Sequence, residues 1–82
     1  MSRKTRQDVA DMVDKLNGAL LFRDAPYRYQ SHSENGYMVL EKHSVNGGCI
    51  ESTVRGVGTG EMYRIVKAVW DILTDNTFAR NQ

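Results

Sequence analysis

The stretch YRYQSHSENGYMVLEKHSVNGGCIESTVRGV, residues 27–57, decides the fold. Within it the runs YRYQSH, YMVLEKH and CIESTVR are rich in β-branched and aromatic residues, and Ser-Glu-Asn-Gly and Asn-Gly-Gly separate them. Such residues fit a pleated, half-buried surface, and Asn-Gly is the strongest short hairpin signal. The stretch therefore predicts an antiparallel three-stranded meander.

On its N-terminal side, Thr5 and Asp8 have capping-box spacing and open a run in which Val9, Met12, Val13, Leu16 and Leu20 recur at helical intervals. This predicts a helix from about Arg6 to Asn17, with Gly18 as its left-handed C-terminal residue. The segment ALLFRDAP then runs to Pro26, with Leu20, Leu21 and Phe22 expected to tuck beneath the sheet. On the C-terminal side, Gly-Val-Gly-Thr-Gly leads into EMYRIVKAVWDIL. There Met62, Ile65, Val66, Val69, Ile72 and Leu73 trace one helical face behind a Thr59 cap, and Glu61 suits the positive helix start.

The order is α-β-β-β-α, an α+β fold with both helices on one face of the sheet. Residues 1–82 read as a single domain, with 1–4 and 77–82 as flexible tails. A chain of 82 residues buries only somewhat over ~60% of its unfolded surface, which leaves little room for an enclosed active site. Eleven Lys and Arg against ten Asp and Glu leave a formal charge of +1, too small for a strong grip on phosphates. A single cysteine excludes an internal disulfide, no apolar run is long enough for a membrane span, and the polar start MSRKTRQD lacks a signal-peptide core. A cytoplasmic protein is the expectation.

Gly36-Tyr37, Asn46-Gly47-Gly48, and Gly56 and Thr59 ahead of Glu61-Met62-Tyr63 together resemble short open reading frames of phages and prophages. In these a glycine-rich meander runs into a helix beginning with Thr, an acidic residue and Tyr. The likeness covers residues 27–73 and implies a phage or prophage origin, hence a bacterial host cell, and the same layout.

Candidate chemistry centres on His43 and Cys49, which flank the second turn. A two-residue turn at Asn46-Gly47 pairs His43 with Ile50 and Lys42 with Glu51, and separates His43 from Cys49. That register gathers Tyr37, Val39, Val45, Ile50 and Val54 on one face. A three-residue loop pairs His43 with Glu51, puts His43 and Cys49 on one face, and gathers Met38, Leu40, Ile50 and Val54. Patterning leaves both open, and turn chemistry favours the first. Neither supplies the three or four ligands of a zinc site or the activating neighbours of a thiol nucleophile. No metal, cofactor or catalytic residue is expected. Gly56 to Gly60 lacks the Lys-Ser/Thr pair of a phosphate loop and reads as a capped turn.

Binding is the more informative theme. Tyr63, Val66, Trp70 and Leu73 form a second stripe on the last helix, beyond what one core face requires. Tyr and Trp concentrate at interface hot spots, so Tyr63, Val66 and Trp70 are the candidate protein-binding residues, with a homodimer through this helix as one outcome. The alternative is weak nucleic-acid binding by Arg3, Lys4, Arg6 and Arg28, with Tyr27, Tyr29 and Tyr37 stacking bases. The small net charge disfavours it. The overall expectation is a non-enzymatic protein-binding module, with a phage or prophage modulator of a host or phage assembly as the role that the resemblance implies.

Overall fold

A computed structural model describes residues 3–47 and 50–74 and has the expected order: α1 (Arg6–Phe22), β1 (Tyr27–Glu34), β2 (Tyr37–Ser44), β3 (Ile50–Val57) and α2 (Thr59–Thr74). The strands form one antiparallel sheet in the order β1-β2-β3, and both helices pack on the same face. The core lies between these layers, where Val9, Met12, Val13, Leu16 and Leu20 of α1 and Met62 and Val66 of α2 meet Met38 and Leu40 of β2. The expected tails fall largely outside the described residues.

At the start of α1 the Asp8 N–H donates to Thr5 Oγ1 at 3.2 Å and the Thr5 N–H donates to Asp8 Oδ2 at 2.8 Å, which completes the capping box. The helix does not stop at Asn17. It continues through Gly18 to Phe22, because a mid-helix glycine costs only about 1 kcal/mol whereas burial of a leucine such as Leu20 returns roughly 2 kcal/mol. The left-handed position falls instead on Asp24, with φ 56°. Its N–H bonds Leu21 O at 3.0 Å and the next N–H, of Ala25, bonds Leu20 O at 2.9 Å, the paired closure of a Schellman motif.

The two Asn-Gly pairs form different turns. Asn35 and Gly36, with φ 54° and 84°, are the two central residues between Glu34 and Tyr37, as a type I′ turn requires. At the second hairpin the Gly47 N–H bonds Ser44 O at 3.0 Å, so Val45 and Asn46 are central, and of Val45, Asn46 and Gly47 only the last has positive φ. The first register nevertheless holds beside this turn, pairing His43 with Ile50, Lys42 with Glu51 and Glu41 with Ser52. Farther along β3 the register shifts twice, leaving Thr53 and Gly56 as extra residues. The first shift brings Val54 opposite Leu40 on the helix-covered face. The near-turn pairing of one register therefore coexists with the Met38, Leu40 and Val54 grouping of the other, because a bulge changes the alternation of faces within β3.

The last helix is rotated from its expected setting. Met62 and Val66 are fully buried, Tyr63, Val69, Trp70 and Leu73 pack beside them, and Ile72 is 65% exposed. Gly58 rather than Thr59 occupies the cap position, since its carbonyl accepts the first helical bond, from the Met62 N–H at 2.9 Å.

Candidate interaction surfaces

Of the three residues expected to bind protein, Val66 is a core residue with no exposed surface, so its place in that set is corrected. A valine at the centre of the stripe is drawn inward by the sheet and α1 together. Tyr63 and Trp70 are half-buried at the margin between the helices. A lysine from α1 or its approach stands over each ring: Lys4 Nζ lies 4.4 Å from the Tyr63 centroid and Lys15 Nζ 5.9 Å from that of Trp70. A cation over an aromatic face is attracted by the ring quadrupole, so these side chains partly cover the rings.

The residues of the nucleic-acid reading are dispersed. Lys4 is engaged with Tyr63, while the Arg28 guanidinium donates to Ala25 O at 2.8 Å and Tyr27 O at 2.6 Å, bracing the entry to β1. Arg3 and Arg6 are exposed. Tyr27 and Tyr29 meet edge to face, with centroids 5.8 Å apart, on the helix-covered side, and burial pushes the Tyr29 phenol pKa up. Tyr37, 57% exposed, lies opposite Glu34 on the other face. The three tyrosines thus share no stacking platform.

That open face is self-paired. His32 contacts Glu34 at 3.5 Å, Glu34 also accepts from Arg55, and His43 contacts Glu41 at 3.2 Å. Val39, flanked across the strands by His32 and Arg55, is only 1% exposed. Among the described residues no three His, Cys, Asp or Glu side chains gather as metal ligands, and Cys49 lies outside those residues. A hollow of about 320 Å³ beside Tyr27 has its aromatic face already occupied by Lys42 Nζ, 4.2 Å from the ring centroid. No described helix is long and apolar enough to cross a membrane.

Among the described residues, the most exposed apolar side chain was not among the sequence candidates. Phe22 is 91% exposed and Leu21 63%, contrary to the expectation that they tuck beneath the sheet. The reason is rotational: once Leu20 points into the core, a step of about 100° per residue carries Leu21 and Phe22 around to solvent. Beside Phe22 a groove of about 240 Å³ is lined by Ala19, Arg23, Leu73 and Thr74, and the Arg23 guanidinium donates to the Leu73 carbonyl at its floor. The available signal was Ala19-Leu20-Leu21-Phe22, four consecutive apolar residues in a helix that can bury one side. No family model, curated protein or solved structure matches this chain.

Proposed function

We propose that the chain is a non-enzymatic protein-binding module whose contact surface is the apolar end of the helical layer, centred on Phe22 and its groove. The single observation that carries this reading is the 91% exposure of Phe22 beside a groove lined by Ala19 and Leu73. An aromatic ring held in water next to an apolar depression is surface that a partner side chain can desolvate. Tyr63 and Trp70 stand farther along the helix pair, where they contribute only their uncovered edges. The resemblance to phage and prophage reading frames suggests a modulator of a host or phage assembly, acting in a bacterial cytoplasm.

The test uses the wild-type chain and Phe22→Gln as baits in bacterial lysate, each with and without nuclease. The reading expects a prey that survives nuclease and is lost with Phe22→Gln, while the unfolding midpoint of the variant stays unchanged. Release by nuclease, or equal capture by both baits, would reject it.

A further inference from the structure

The Asn17 carboxamide occupies one position on the outer edge of β1: its Nδ2 donates to Tyr29 O at 2.9 Å and its Oδ1 accepts from the Tyr29 N–H at 2.8 Å. Both Tyr29 backbone groups therefore point away from β2. Peptide groups alternate in direction along an antiparallel strand, so the N–H and C=O of Ser31 and Ser33 point outward as well. No other described residue bonds them. Here α1 stands off from the strand, leaving a groove of about 340 Å³ lined by Ala10, Val13, Asp14, Asn17 and Ser31 among others. The opposite edge of the sheet is different, since β3 carries two bulges that interrupt a regular ladder.

We propose that a second copy of this chain pairs antiparallel with β1 across Ser31 and Ser33, joining two sheets into one of six strands. The open segment runs from Gln30 to Glu34, bounded by Asn17 at one end and the Asn35-Gly36 turn at the other. A two-fold axis through His32 pairs that segment with itself, Ser31 opposite Ser33 of the second copy and Gln30 opposite its Glu34. The incoming strand turns away at Asn35, at the level where Asn17 blocks further pairing. The match extends to charge. Gln30 sets no second carboxylate against Glu34 of the other copy, whose charge His32 and Arg55 already compensate within its own sheet, and antiparallel α1 helices meeting at Ala10 set exposed Arg6 opposite exposed Asp14. This surface is separate from the Phe22 end, so the two readings stand or fall independently.

Sedimentation across a concentration series tests the pairing. The wild-type chain forms a dimer as concentration rises. Ser33→Pro, which removes an outward N–H and no bond to β2, sediments as a monomer with an unchanged circular dichroism spectrum. Gln30→Glu places like charges opposite one another at two symmetric positions and weakens the dimer by roughly tenfold, and adding Glu34→Gln to the same chain restores it. A wild-type chain that stays monomeric at every concentration, a Ser33→Pro chain that folds and still dimerises, or a Gln30→Glu dimer of wild-type affinity would each overturn the proposal.

Discussion

The Asn17 side chain satisfies both backbone groups of Tyr29, at 2.9 Å and 2.8 Å, and so ties α1 to the edge of β1 across twelve positions of sequence. A carboxamide is suited to this because it offers a donor and an acceptor side by side, as a neighbouring strand would.

Asn17→Ala leaves both Tyr29 groups without that partner and is expected to lower unfolding stability by about 1–3 kcal/mol. Asn17→Asp retains the acceptor but loses the donor, so its midpoint in urea falls between those of wild type and Asn17→Ala. Equal midpoints for all three chains would show that solvent replaces the contact at no cost.

Gly18 lies within α1 without positive φ, and a Cβ added there meets nothing within 4 Å. Gly18→Ala is therefore expected to stabilise the protein by roughly 0.5–1 kcal/mol, read as a raised thermal midpoint. A left-handed helix end at Gly18 would give the opposite sign.

The two Asn-Gly turns predict opposite sensitivities. Gly36, at φ 84°, holds the second central position of a type I′ turn, so Gly36→Ala costs about 1–2 kcal/mol. Asn46 has no positive φ and is exposed, so Asn46→Ala changes stability by no more than about 0.5 kcal/mol. Denaturant unfolding of both variants checks the contrast.

Two carboxylates give the pH dependence its sign. Glu34 is held below its ordinary value of 4.5 by the His32 hydrogen bond and the Arg55 charge, and Asp8 below 3.8 by the Thr5 backbone N–H. A carboxyl that is more acidic when folded contributes stability that is present above the unfolded value and lost as pH falls through the folded one. Stability is thus expected to decline as pH drops below 4.5, and Glu34→Gln to make that decline shallower. Urea midpoints taken through the acid range measure the difference.

The sequence by itself determined the element order and the buried stripe of α1. These follow from interactions within a few residues: the Thr5–Asp8 capping box, the helical recurrence from Val9 to Leu20, and the change to β-branched and aromatic runs after Pro26. Local rules failed where a distant partner chose the outcome. Burial of Leu20 carried α1 past Gly18, and Asp24 took the left-handed position that a glycine was expected to hold. In β3 the bulge at Thr53 lets Val54 reach the core from a register that would otherwise turn it outward. The candidate site was less legible still. Tyr63, Val66 and Trp70 share a helical stripe, but Val66 also lies on the core face and is buried there, while the rotation of α2 on the sheet leaves Ile72 exposed and that of α1 presents Phe22 to solvent. Hydrophobic spacing specifies that a helix has an apolar side; how far that side turns toward the sheet is settled only when both helices compete for the same Met38 and Leu40 surface.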